Sequence, residues 1–356
     1  MKRVLVTGAG GYIGVPLCER LLREGYHVLA LDRFFFGLDK VDKLRHVPDF
    51  ELLPEDIRYV DPSILGDVDA IVDLAGLSND ATAEIDPRLT MDINYAGAVR
   101  LAQVAKELGV KRYVYSSSAS VYGTGNKLGL TETDALCPIT EYARSKVQVE
   151  SHILPLAERD FQVVILRNAT VYGLAPRMRF DLVINIMTMR AWKERVIYIM
   201  GGGEQWRPLV HVQDVVAAFL LALEAPAEQV NGEIFNVGSD DQNYQIHQLA
   251  QFVVDVVPNV TIHRIPDDPD RRSYNVSFSK IRHVLNFEPS RRVHEGIVEI
   301  KQALERGTIN PNDPTCFTLQ WYKSILEWST RIQQLTYKGA VLEVNDSSRD
   351  VLLEVR

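Results

Sequence analysis

Tyr142 and Lys146 stand four residues apart in EYARSK, a spacing that puts two side chains one turn apart on the same face of a helix. A phenol ionises near pH 10 in water and becomes a usable base when neighbouring positive charge favours the phenolate. Lys146 is placed to supply part of that charge. Upstream of Tyr142 by 24 residues lies Ser118, in the run Ser116-Ser117-Ser118-Ala119-Ser120-Val121-Tyr122-Gly123. This run closes a strand-like stretch, and the carboxyl end of a parallel strand is where a ligand crevice forms. Ser118 can there hydrogen-bond an oxygen that Tyr142 deprotonates. Serines at a strand end also satisfy backbone groups, so the order of the motifs carries more weight than any one of them.

A second chemical feature opens the chain. Thr7-Gly8-Ala9-Gly10-Gly11-Tyr12-Ile13-Gly14 is a GxxGxxG arrangement between the strand-like RVLVTG and a helical period over Pro16–Glu24. Gly8, Gly11 and Gly14 allow a tight turn that brings a pyrophosphate against backbone N–H groups at a positive helix end, with Tyr12 and Ile13 in the same turn. Asp32 ends the second strand, HVLALD, 24 residues past Gly8. A carboxylate there accepts hydrogen bonds from both ribose hydroxyls and repels a 2′-phosphate, which favours NAD over NADP. The adjacent Arg33 is the opposing feature, since a guanidinium can partner a 2′-phosphate. Asp56 and Ile57 fit the adenine rim, Leu74, Ala75 and Gly76 the crevice wall, and Ser116 and Asn168 complete the cofactor set. The nicotinamide ring would add its positive charge beside Tyr142, and Lys146 would hold the nicotinamide ribose.

Elements able to position these residues follow from the hydrophobic pattern. RVLVTG, HVLALD, DAIVDLAG and RYVYSSS alternate with helical periods, including Ala96–Leu108, and FQVVILRN follows the helix of Tyr142. Continuous apolar strands alternating with helices imply parallel βαβ units covered on both faces, a Rossmann-like doubly wound α/β sheet. We assign residues 1–171 to this dinucleotide-binding domain, with 211–238 packing back onto it. A smaller, discontinuous substrate domain takes 172–210 and 239–330. GTINPNDPT reads as a linker, Phe317–Leu335 as helical, and 331–356 as a C-terminal extension whose AVLEVNDSSRDVLLEV is a hairpin or a mobile tail.

Composition narrows the class. The 356 residues carry 39 Lys+Arg against 47 Asp+Glu, a net charge of −8, which argues against a nucleic-acid or anionic-membrane binder. No apolar run reaches the roughly 20 residues of a membrane span, and the N-terminal run is too short for a signal peptide. Cys18, Cys137 and Cys316 are far apart and outside any CxxC pattern, and no histidines pair as HExxH, so we expect a cytoplasmic protein without metal.

Taken together, TGAGGYIG, SSSASVYG, YARSK, RPLVHVQD and FNVG resemble the extended short-chain dehydrogenase/reductase family of nucleotide-sugar epimerases, dehydratases and reductases, over residues 1 to about 305. The resemblance implies Ser118, Tyr142 and Lys146 as the catalytic set. It also implies that Asn94 orders a water or backbone near the site, that Arg207 reaches the nucleotide diphosphate, and that the enzyme is a homodimer built on two helices. Sugar 4,6-dehydratases of the family carry Asp-Glu directly after the catalytic hydroxyl, where this chain has Ala119 and Ser120. Related decarboxylases keep a Glu there. Galactose-type epimerases have an aromatic and an Asn at the places of Asn168 and Thr170, and often a lysine at Ser78, so the sugar stays open.

Ser78, Asn79, Thr170, Arg177, Arg179 and Asn185 are the expected shapers of the sugar and phosphate pocket, and Arg271 and Arg272 a clamp on a diphosphate. Phe34–Phe36 either cover the adenine edge or form an ordinary loop. The first expectation is an NAD-dependent epimerase acting at C4 of a nucleotide-linked hexose. The alternatives are a keto-sugar reductase, an atypical dehydratase, or a dinucleotide-binding protein without turnover.

Overall fold

The first six strands are β1 (Arg3–Thr7), β2 (His27–Leu31), β3 (Phe50–Leu53), β4 (Ala70–Asp73), β5 (Arg112–Ser118) and β6 (Gln162–Asn168). Three short strands follow, β7 (Thr170–Tyr172), β8 (Val196–Met200) and β9 (Trp206–His211), and then β10 (Glu233–Val237), β11 (Asn243–Gln245) and β12 (Thr261–Ile265). They come from a computed structural model of the chain, which describes residues 2–266 and 272–336. Arg271 and residues 337–356, with the hairpin or tail expected there, lie outside the described residues.

Seven strands form one sheet in the order β10-β6-β5-β4-β1-β2-β3, and every neighbouring pair is parallel. The alternation of side chains explains why these strands read as unbroken apolar runs. Val4, Val6, Val28, Ala30, Val72 and Val114 enter the core on one face. Leu5, Leu29, Leu31, Ile71, Tyr113 and Tyr115 enter the core on the other. Each Val, Leu or Ile among them, fully buried, contributes about 1.5–3 kcal/mol of transfer free energy. Successive strands are added on one side of β1 as far as β3 and on its other side from β4 onward, and this switch opens a crevice at the carboxyl ends of β1 and β4.

The remaining strands build two small sheets, β11-β9-β7 and β12-β8. Helices Val183–Glu194, Ile246–Val256 and Val293–Glu305 pack over them around Ile184, Ile197, Leu249 and Ile297. The helix Val212–Glu224 leads from β9 back to the large sheet. The expected helix at Ala96–Leu108 is α-helical over Ala98–Glu107 and is preceded by a wider, π-helical segment, Met91–Gly97.

The last described element, the terminal helix Thr318–Leu335, runs through the boundary placed at residue 330. It packs back on the loop after β2: Trp321 Nε1 donates to the Phe35 carbonyl at 2.6 Å. The Tyr322 ring meets Phe35 and Phe36 edge-on, with centroids 5.8 and 5.5 Å apart. Periodicity predicts this helix but not its docking place, because an amphipathic pattern does not say what the apolar face meets.

Candidate active site

One cavity of about 390 Å³ opens at the carboxyl ends of the central strands. Its floor is the turn after β1, where Gly8 has φ +67° and sits so close to β4 that a Cβ would lie 2.9 Å from the Leu74 carbonyl carbon. A Cβ on Gly14 would fall 2.1 Å from the Gly8 carbonyl oxygen, so only glycine lets the helix Gly14–Arg23 begin there. Gly8, Gly11, Tyr12, Ile13 and Gly14 all line the cavity. Thr7 holds the opposite wall: its hydroxyl donates to the buried Asp73 at 2.6 Å and accepts from the Leu74 and Ala75 amides. Leu74, Ala75 and Gly76 thereby line the crevice.

Asp32 lines the same cavity and accepts from the Gly10 amide at 3.0 Å and the Phe34 amide at 2.7 Å. Burial pushes its carboxyl up, and those amides and Arg177 hold part of that shift back. Arg33 lies 5.3 Å from the Phe35 ring centroid, and Asp56 forms an ion pair with Arg58 at 2.8 Å; Arg33, Asp56 and Ile57 rim the cavity with Phe35 and Phe36. A glycine turn at a helix N-terminus, an acid at the second strand end and an aromatic rim fit a dinucleotide.

Ser118, Tyr142 and Lys146 line the same cavity. Thr140 caps the helix Glu141–Ile153 by accepting from the Ala143 amide at 3.2 Å, which fixes Tyr142 in the first turn. Lys146 Nζ donates to the Ser116 carbonyl at 2.7 Å and sits 5.7 Å from the Tyr142 ring centroid. Burial lowers Lys146 to about 8, opposed by Asp73 and Glu150. Tyr142 departs from the expectation of an acidic phenol: burial raises it to about 12, Asp80 adds to the rise, and Arg179 and the Ser118 hydroxyl pull it back. Removing water from a phenolate costs more than the charges of this chain return.

Around this centre, Ser78, Asn79, Thr170, Asn168 and Ser116 line the cavity. Arg179 grips Asp181 through two bonds of 2.9 Å and donates to Ser78 Oγ at 3.3 Å, and Asn79 donates to Asp181 at 2.6 Å. Arg272 pairs with Asp80, which also accepts from Thr140, so all three tie the helix of Tyr142 to the opposite wall. Asn168 donates to Ser116 Oγ at 3.0 Å. Among the described residues, Asn168 Oδ1 and Ser120 Oγ, both on cavity-lining side chains, are buried without a partner.

Three sequence candidates stand back from the cavity lining. Asn185 is fully buried, and its amide is used within the protein: it donates to Tyr12 at 3.1 Å and the Arg179 carbonyl at 2.9 Å, and accepts from Gly173. It holds the glycine turn and the Arg179 loop together and has no donor left for a sugar. Asn94, in the π-helical segment, accepts from the Leu77 amide at 2.7 Å and donates to its carbonyl at 3.2 Å. Arg207 donates to the Trp206 and Arg272 carbonyls and lies 5.5 Å from the ring centroid of Tyr274, a cavity residue.

Sequence reasoning missed two groups. Glu150, one turn past Lys146, makes a buried pair with Arg167 of β6 at 2.7 Å and accepts from Ser117 at 2.5 Å, so the strand carrying Ser118 is bolted to the helix carrying Tyr142. Its only signal was a further acidic residue at helical spacing. Tyr322, Ile325 and Leu326 of the terminal helix also line the cavity, with nothing in their spacing to show it.

Among the described residues, no group of His, Cys, Asp and Glu could hold a metal ion, and no helix is long and apolar enough to cross a membrane.

Comparison with known proteins agrees with this geometry. The chain is 30% identical over 308 residues to a UDP-glucose 4-epimerase of Mycolicibacterium smegmatis, covering 83% of this chain and 96% of the relative. It is 26% identical over 346 residues to a UDP-N-acetyl-alpha-D-glucosaminuronate decarboxylase of Bacillus cytotoxicus, covering 91% and 98%. The solved structure of MoeE5 in complex with UDP-glucose and NAD superposes with a TM-score of 0.75 at 25% identity, covering 86% of this chain and all of that one. Residues 4–238 match the model of the NAD dependent epimerase/dehydratase family, and the chain therefore belongs to that family of NAD-dependent enzymes.

Proposed function

We propose that the protein is a nucleotide-sugar epimerase that oxidises its substrate transiently at C4 and returns the hydride to the opposite face. The observation that carries this reading is the meeting of Ser118, Tyr142 and Lys146 in one cavity with the glycine turn and Asp32, while the next two positions are Ala119 and Ser120. Elimination of water needs an acid and a base beside the sugar, and those positions offer a methyl group and a hydroxyl. The M. smegmatis relative named a UDP-glucose 4-epimerase supports C4 and a UDP-hexose.

NAD, when bound, supplies the hydride acceptor and then the donor. Asp32 accepts hydrogen bonds from its adenosine ribose, Lys146 holds the nicotinamide ribose, and Asn94 keeps the Leu77 backbone in place beside the site. Tyr142 takes the C4 hydroxyl proton on its phenolate oxygen and later returns it. Ser118 donates a hydrogen bond to the same substrate oxygen. Arg179 and Arg272 face the nucleotide diphosphate, with Arg207 behind Arg272, and Ser78, Asn79 and Thr170 shape the sugar end. The enzyme works in the cytoplasm as a homodimer joined through the helices Ala98–Glu107 and Glu141–Ile153.

The test is to incubate the protein with UDP-, dTDP- and GDP-hexoses and follow sugar stereochemistry by NMR. Appearance of the C4 epimer with no net change in cofactor redox state is the expected result. Stoichiometric loss of added reduced cofactor would replace this reading with a keto-sugar reductase, and loss of water from the sugar with a dehydratase.

A further inference from the structure

We propose that Arg177, held by the terminal helix, is the cation that meets the pyrophosphate of bound NAD. Arg177 lines the cavity yet is only 2% exposed. Among the described residues no carboxylate lies within ion-pair distance of it, because Asp181 is taken by Arg179. Its Nη2 donates to Thr318 Oγ1 at 2.9 Å, at the first turn of the terminal helix, and its Nε is buried without a partner. The guanidinium sits 3.7 Å from the Phe36 ring centroid, and Phe36 packs in turn on Tyr322. A buried guanidinium with no anion paired to it is costly, and a ligand anion in the cavity offsets that cost. Its lowered pKa, about 10 through burial, is consistent with a site that lacks its anion.

Position selects the pyrophosphate among the ligand's groups. Ala175 and Met178, on either side of Arg177, pack with Tyr12 in one apolar cluster, and Tyr12 donates to the Gly173 carbonyl at 2.6 Å. The segment bearing Arg177 therefore lies against the glycine turn, whose residues line the same cavity. Arg177 also acts electrostatically on Asp32, which places it on the adenosine side, whereas Arg179 and Arg272 stand near Tyr142 and Asp80. The turn supplies neutral N–H donors and Arg177 supplies charge, with guanidinium geometry suited to two phosphate oxygens. This assignment rests on the NAD site and is independent of the sugar chemistry.

Calorimetric titration of cofactor-stripped protein with NAD, ADP and adenosine tests it. Arg177→Met should weaken NAD and ADP by about 10- to 100-fold, the worth of charge-assisted hydrogen bonds, and leave adenosine unchanged. Arg177→Lys should recover part of the loss, and Thr318→Val, which frees Nη2, should show a smaller loss in the same order. Equal weakening of all three ligands would mean that Arg177 only shapes the wall, and unchanged binding of ADP would mean that it meets no phosphate; either result overturns the proposal. If Arg177→Met does not fold, Thr318→Val decides, because the proposal requires it to weaken ADP and spare adenosine.

Discussion

Tyr142 is a poor base in the protein alone, because its phenol is held near 12 by burial and by Asp80. The missing positive charge has to arrive with the oxidised nicotinamide, since Lys146, itself lowered to about 8 by burial, leaves the Tyr142 phenol high. Ultraviolet titration of the phenolate should therefore find Tyr142 protonated at pH 9 or so without cofactor and ionising at lower pH with NAD bound. Because the phenolate is the active form, kcat should fall as pH drops through that lowered value. Early phenolate absorbance from Tyr142 in the cofactor-free protein would contradict the account. Tyr142→Phe should cut turnover by about 10²–10⁴-fold and leave NAD affinity unchanged, as measured by kinetics and calorimetry side by side. At this scale the sequence was readable where a residue's partner is local: Tyr142 with Lys146 by helical spacing, Ser118 by its place at a strand end. Asn185 was less legible for the opposite reason. An asparagine shows its donors in the sequence but not their acceptors, and those lie at Tyr12 and Arg179.

Helices and strands explain how the three side chains proposed for catalysis keep their places. β5 brings Ser118, the helix Glu141–Ile153 brings Tyr142 and Lys146, and the Glu150–Arg167 pair, almost wholly buried, locks helix to sheet behind them. Breaking one partner leaves an uncompensated buried charge. Glu150→Gln should thus lower unfolding free energy by about 3–5 kcal/mol in urea denaturation, and Glu150→Gln with Arg167→Met together should lose less than the sum of the two. A loss near zero for Glu150→Gln would show that the helix is held by its apolar face alone. The doubly wound sheet was legible because alternation of apolar strands with helical periods survives without any knowledge of partners. The ion pair was not, because it joins a helix position to a strand position whose register only the folded sheet fixes.

Across the whole molecule, the cavity is closed by segments from both ends of the chain, the loop after β2 and the terminal helix. NAD bound against Tyr322 and Leu326 should slow amide hydrogen exchange in Thr318–Leu335 and leave the distant helix Ile246–Val256 unchanged. Uniform slowing of both would point to global stabilisation instead of a wall meeting its ligand. The bond from Trp321 to Phe35 spans 286 residues. Ribosomes add about 5–20 residues per second, so roughly a quarter of a minute to a minute separates the emergence of these two partners. Through that interval the nascent glycine turn and Asp32 can gather with their neighbours while the last wall has not yet been made. The order of translation thus leaves an open-sided berth first and its cover last, and gives a cofactor time to board before the chain shuts behind it.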